Sequence, residues 1–304
     1  MNYSRLGEAI IKQRKLLKMT QIDLCQDICS QSAISQIEKG SVLPNLDTLY
    51  AISLRLRVPV NYFINLLIDE NFEEINKVVI DLERKLSKHL YQETYLISNK
   101  QLEQKNPQKQ SWYYFYLFWI NRYSAHKIGN MDAHKCLIEL KGLLVPQYEL
   151  ILRKNLLDYR ILNTIAVIYA SIGDSKLANY YYNKILSKPY SSNSSLRQNP
   201  DIYLLQTMYN KVKTLYDTNN FDNAILIIEQ GIQKSKELEN VSFVGHFYYY
   251  LGLCYEKTNK EFNEISDCFQ KAYYHFEFLD KRGYLDVLRN LKSQYLTKEK
   301  PVVI

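Results

Sequence analysis

A spaced triplet of residues recurs three times in the second half of this chain. Asn163, Ala166 and Tyr169 stand three apart, and Asn210, Lys213 and Tyr216, then Tyr249, Gly252 and Tyr255, repeat the spacing. Each triplet precedes a second series of small and apolar residues: Ala178, Tyr182 and Ile185; Ala224, Ile228 and Gly231; Ile265, Phe269 and Ala272. Such spacings put side chains on one face of an α-helix. A single helix pair cannot bury such a face alone, so repeated pairs must stack on one another. Turn-formers are also scarce, with 9 Gly and 7 Pro in 304 residues, which argues against many strands. The expected fold class is all-α.

The small, aromatic, small order is that of a tetratricopeptide repeat, in which small residues let paired helices touch and the aromatic fills the gap to the next pair. The units are spaced by 47 and then 39 residues, measured at Ala166, Lys213 and Gly252. The ideal repeat is about 34 residues, so these are degenerate. Residues 75–150 read as two earlier, weaker repeats, with Tyr91, Trp112 and Tyr116 as their aromatics, giving a superhelix of about five. Residues 186–201, rich in Ser, Asn and Pro, read as an exposed loop. A generic helical bundle is the competing architecture, and the recurrence of two linked patterns disfavours it. The 27 tyrosines are ascribed mainly to a compositional bias and only secondarily to an aromatic-lined groove.

Residues 4–68 read as five short helices. The first, Arg5 to Leu17, carries apolar Leu6, Ile10, Leu16 and Leu17. Over residues 1–20 the charges are Arg5, Lys12, Arg14, Lys15 and Lys18 against Glu8 alone, as a phosphate-facing helix requires. Thr20 caps a helix from Gln21 to Ile28, with Asp23 at the capping-box position. A third helix runs from about Ser32 to Gly40, Asn45 caps a fourth from Leu46 to Leu56, and Pro59 opens a fifth. A linker helix follows. The expected domains are 1–68 and 69–304.

Ile34 and Ile37 share the buried face of the third helix, which leaves Ser32, Ser35 and Gln36 on the open face. Hydroxyls and amides there suit the major groove, because a Gln carboxamide pairs with adenine N6 and N7. A merely solvated polar face is the plainer alternative. The stretch from Thr20 to Pro44 resembles the phage-repressor type of helix-turn-helix, including Thr20-Gln21, apolar Leu24, Ile28, Ile34 and Ile37, and the closing Glu38-Lys39-Gly40. That resemblance places Gln31, Ser32 and Gln36 where base contacts are made and Gln21 where a phosphate is gripped. It also implies a structural ion pair between Arg14 and Glu38.

Helix-turn-helix followed by degenerate repeats resembles, over the whole chain, the Gram-positive quorum-sensing receptors grouped as Rap, Rgg, NprR and PlcR, the PlcR-like members most of all. The likeness is carried by Arg5 to Ile68 and by the segments CLIELKGLL and NTIAVIYASIG. It implies a transcription regulator that is a homodimer on a dyad-symmetric operator in double-stranded DNA, with a secreted and re-imported linear peptide as ligand. The first helix of each repeat would then line the peptide groove, with Asn163, Asn210 and Tyr249 in equivalent inward positions. Lys213, one turn from Asn210, is a candidate for a peptide carboxylate, as are Lys85 and Lys88. Two other classes stay open: a repeat scaffold for a protein partner, and a Rap-like modulator of a response regulator, for which no acting residue stands out.

Chemistry of other kinds finds little support. Cys25, Cys29, Cys136, Cys254 and Cys268 form no pair of metal knuckles, and they read as free thiols in a reducing cytosol. His89, His126, His134, His246 and His275 are scattered, and no phosphate-cradling, nucleophile-elbow or HExxH motif occurs. No enzyme, metal or cofactor is expected. The polar first 20 residues do not read as a signal peptide, and the longest strongly apolar run, Tyr113 to Ile120, is too short to span a bilayer. A cytoplasmic protein is expected. Net charge +7 favours a polyanionic partner.

Overall fold

Short polar side chains start the helices of the N-terminal unit. Thr20, Ser30 and Asn45 each accept a hydrogen bond from a backbone N–H three residues on, at 3.1, 3.1 and 2.8 Å. Thr20 N–H also donates to Asp23 Oδ2 at 2.7 Å, closing the capping box. The bonds from the Thr20 hydroxyl and amide hold the Asp23 carboxyl below its ordinary pKa. The computed structural model describes residues 3–68, 72–104, 111–187 and 200–296. By contacts the chain divides into two units, Met1–Leu90 and Tyr91–Ile304.

The first unit holds α1 (Tyr3–Leu16), α2 (Gln21–Cys25), α3 (Gln31–Glu38), α4 (Leu46–Arg55), α5 (Val60–Ile68) and α6 (Phe72–Ser87). Leu6, Ile10, Leu24, Ile34, Ile37, Ile52 and Phe63 form its core. Two local expectations are corrected. Helix α2 ends at Cys25 and not at Ile28, because Asp27 takes a left-handed φ of 56°. Leu16 and Leu17 are not core residues, with exposures of 66% and 40%, because α1 ends there and Lys18 turns away at φ 56°. Ala9 supplies the apolar contact in their stead.

The second unit contains α7 (Tyr91–Gln104), α8 (Trp112–Lys127), α9 (Ala133–Lys141), α10 (Glu149–Arg153), α11 (Leu157–Ser171), α12 (Ser175–Leu186), α13 (Pro200–Asp217), α14 (Phe221–Glu237), α15 (Val244–Lys257), α16 (Phe262–Phe278) and α17 (Arg282–Leu291). No strand occurs among the described residues. The three helix pairs read from the sequence are α11–α12, α13–α14 and α15–α16, each packed closely side by side. Ala166, Ala178, Ala224 and Ala272 are wholly buried. Gly231 lies so near α15 that an added Cβ would sit 2.6 Å from the Phe247 ring, so its smallness sets the approach of one pair to the next. The middle unit departs from the pattern. Lys213 is exposed where Ala166 and Gly252 are buried, since a charged four-carbon chain cannot lie between packed helices. Before α11, the chain forms the α7–α8 pair and then α9, followed by a less regular passage in which Asn155 and Leu156 are left-handed. Of the loop read at 186–201, residues 188–199 lie outside the described residues, and its ends belong to α12 and α13.

His246 is packed among the rings of Tyr209, Phe243, Phe276 and Tyr284, at centroid distances of 5.0, 5.4, 5.0 and 4.6 Å. Its Nδ1 has no hydrogen-bond partner among the described residues. Burial, and after it the charge of Lys281, lowers its pKa to about 4. The folded protein therefore holds this ring neutral while the unfolded chain protonates it near pH 6.5. Its share of stability is complete above that pH and is lost as pH falls toward 4. We expect His246→Phe to reduce the fall in unfolding free energy between pH 7 and 4.5 by about 2 to 3 kcal/mol. Urea melts of both proteins at the two pH values measure this, and parallel losses would refute it.

Candidate functional sites

Helix α3 is eight residues long, and its two faces differ sharply. Ile34, Ile37 and Glu38 are buried, whereas Gln31, Ser32 and Gln36 are exposed and Ser35 is half-buried. Behind the exposed face runs a chain of hydrogen bonds. Gln31 Nε2 donates to Gln21 Oε1 at 2.8 Å, and Gln21 Nε2 donates to Glu38 Oε2 at 2.7 Å. Arg14 grips the same carboxylate with both arms, Nε to Oε1 at 2.6 Å and Nη2 to Oε2 at 2.9 Å. Its remaining arm donates to the Met19 carbonyl at 2.9 Å. The bond to Glu38 raises the Arg14 pKa against the effect of burial. One buried carboxylate thus ties α1, the start of α2 and both ends of α3 together. Gln36 makes no side-chain hydrogen bond among the described residues, and its carboxamide stands open to solvent.

Two residues of this site escape a reading of the sequence. Arg55 on α4 donates to the carbonyls of Asp23, at 3.1 Å, and of Gln26, which satisfies the C-terminal end of α2. Its role depends on tertiary contact and leaves no local signal. Gly7 lies where α1 crosses α3, and a Cβ there would sit 2.2 Å from the Glu38 carbonyl oxygen. The signal available was a glycine inside an otherwise good helix, which costs about 1 kcal/mol against alanine without a packing reason.

In the second unit, Asn210 Nδ2 donates to Asn163 Oδ1 at 3.1 Å, so the two half-buried carboxamides bridge α13 and α11. The pair keeps an acceptor on Asn210 and donors on Asn163 for another partner. Lys213 is exposed one turn further along α13. Tyr249 is half-buried with its ring edge-on to Tyr250 and Phe269, at 5.7 and 6.0 Å, and among the described residues no hydrogen bond joins it to the asparagines. Lys85 and Lys88 belong to the first unit: Lys85 lies 4.0 Å from Asp81, and Lys88 is exposed in the turn after α6. Of the six residues read as peptide-binding, the structure brings Asn163, Asn210 and Lys213 together.

Residues 10–63 match a helix-turn-helix family, and residues 44–297 match the RNPP family C-terminal domain. The chain belongs to the RNPP family. Among solved structures this RNPP chain is similar to Bacillus thuringiensis PlcR in complex with the peptide PapR7 and DNA, with 28% identity and a TM-score of 0.76 over 94% of this chain and 99% of that one. It also resembles the Streptococcus dysgalactiae SHP pheromone receptor Rgg2, with 12% identity and a TM-score of 0.60 over 96% and 100% of the two chains. A third is ComR from S. thermophilus in complex with DNA and its signalling peptide ComS, with 15% identity and a TM-score of 0.57 over 95% and 99%. At those lower identities the likeness concerns the fold. No curated protein matches the sequence of this RNPP chain. None of its described helices is long and apolar enough to cross a membrane.

Proposed function

We propose that this RNPP protein is a transcription regulator that reads double-stranded DNA with α3 and is controlled by a short linear signalling peptide bound in its repeats. The observation that carries this reading is the exposed polar face of α3 held by the Gln31–Gln21–Glu38–Arg14 chain of bonds. An open face of amides and hydroxyls on a rigidly seated short helix suits base edges in the major groove. The similar PlcR structure was obtained with a peptide and DNA together. Residues 1–68 supply the DNA-binding domain and 69–304 the peptide-binding and dimerising domain. Gln31, Ser32, Ser35 and Gln36 contact bases, and Gln21 grips a phosphate while it anchors Gln31. Asn163 and Asn210 bond the peptide backbone, with Lys213 and Tyr249 as further contacts. The protein acts in the cytoplasm as a homodimer on a dyad-symmetric operator, and it catalyses no reaction.

Gln36→Ala is expected to weaken binding to the selected operator by about 1 to 3 kcal/mol while leaving nonspecific DNA binding unchanged. Gln21→Ala is expected to weaken both, since a phosphate contact carries no sequence information. Fluorescence titrations against operator and scrambled duplex at one salt concentration measure the two ratios. An unaltered specific-to-nonspecific ratio in Gln36→Ala would contradict the base-reading role.

A further inference from the structure

Between α9 and α11 the chain makes a break that its own sequence does not call for. From Glu149 to Ser171 there is neither glycine nor proline, and Leu, Arg and Lys crowd the first turns, so helix-forming preference runs unbroken through the stretch. The chain nonetheless ends α10 at Arg153 and starts α11 at Leu157. In between, Lys154 is extended at ψ 126°, and Asn155 and Leu156 are left-handed, each at φ 54°. An asparagine tolerates that conformation, whereas a leucine there crowds its Cβ against the following carbonyl. Contacts from α8 hold the break. Trp112 Nε1 donates to the Lys154 carbonyl at 2.8 Å, and the Lys154 ammonium lies over the Trp112 ring, 5.6 Å from its centroid. Trp112 is itself stacked on Tyr116 at 5.3 Å, and Tyr148, just before α10, rests on Phe115 at 4.7 Å. Leu150 is 81% exposed, more than any other large apolar side chain among the described residues, while Leu152 is buried. Leu150 stands seven residues before Leu157, almost two turns. An unbroken helix would therefore bring it into line with the buried Leu157, Ile161, Thr164 and Ile168, and would turn Leu152 away from that face.

We propose that residues 149–157 are a two-state latch. In the state seen, Trp112 holds the Lys154 carbonyl and the helix is broken; in the released state, α10 and α11 join in one helix from Glu149 to Ser171. Release relaxes the left-handed Leu156 and exchanges Leu152 for Leu150 on the buried face, and the bond from Trp112 opposes it. The two arrangements are discrete, because the junction is either helical or it is not. Since α11 carries Asn163, a ligand held there with unequal affinity for the two arrangements shifts their populations.

The test is hydrogen exchange of the full-length protein, read by mass spectrometry over peptides spanning residues 154–159. An unbroken helix gives the amides of Asn155 and Leu156 acceptors four residues back, at Ile151 and Leu152, and so slows their exchange. Asn155→Ala replaces a residue that tolerates the left-handed state with the best helix former. Trp112→Phe keeps a ring against Tyr116 and removes the donor to Lys154. Each is expected to slow exchange at the junction about tenfold or more relative to the wild-type chain. Asn155→Gly is expected to leave it as fast as in the wild-type chain, because glycine accepts the left-handed state freely. The Asn155 side chain is half-buried and makes no hydrogen bond with a described residue, so both changes there spare the fold, and unaltered exchange in α13 to α16 verifies this. Asn155→Ala exchanging like Asn155→Gly, or a folded Trp112→Phe exchanging as fast as the wild-type chain or faster, overturns the proposal. Should Trp112→Phe lose protection throughout α11 to α16, the Asn155 pair decides alone.

Discussion

Glu38→Ala is expected to destabilise the first unit by about 3 to 5 kcal/mol, the usual penalty for removing one partner of a buried, hydrogen-bonded ion pair. The Glu38 side chain is 4% exposed and that of Arg14 12%, so the guanidinium left behind has little access to water. The loss spreads further than one pair. Gln21 loses its acceptor at 2.7 Å, and the Gln31 carboxamide is then anchored to a side chain that is itself loose. The variant should therefore bind operator poorly even at temperatures where α3 is still formed. Hydrogen exchange across residues 3–68 gives the readout. Protection equal to that of the wild-type chain would show that the carboxylate does not tie α1 to α3.

Gly7→Ala should be nearly as damaging, for a steric reason. The new methyl would lie 2.2 Å from the Glu38 carbonyl oxygen and 2.7 Å from that of Ile37. Both atoms are backbone, so neither can swing aside as a flexible side chain would. Alanine gains about 1 kcal/mol of intrinsic helix preference over glycine. Overpacking costs about 1 to 3 kcal/mol and more where the clash is with backbone. The clash is expected to dominate, with a net loss of about 2 kcal/mol or more and α1 displaced from α3. A chemical melt of the variant measures the sign. A stabilised protein would mean that the two helices separate freely.

The two halves of the chain differ in how much of them can be read without coordinates. The capping residues Thr20 and Asn45 are local signals, and the structure places both at helix starts. The end of α2 was missed because Ile28 continues the apolar spacing, whereas Asp27 turns left-handed and breaks the helix. Leu16 and Leu17 continue the spacing too, but the chain leaves the core before they can use it. In the repeats, the small and aromatic positions located the pairs α11–α12, α13–α14 and α15–α16, since packing between helices imposes residue size directly. Lys213 marks where that logic stops, because its place in the spacing matched Ala166 and its environment does not. The Asn163–Asn210 bond spans 47 residues, so no local pattern could reveal it. The Gln31–Gln21 bond was equally hidden, although both residues were singled out separately as DNA contacts.

Base reading by α3 is tested most directly by selection of bound DNA from sheared genomic fragments by the wild-type protein and by Gln36→Ala, followed by sequencing. The wild-type chain is expected to enrich one motif with two-fold symmetry, its half-sites about one helical turn apart, and Gln36→Ala to lose the preference at one position in each half-site. Recovery of no common motif by the wild-type chain, or of the same motif with the same enrichment by Gln36→Ala, would contradict it.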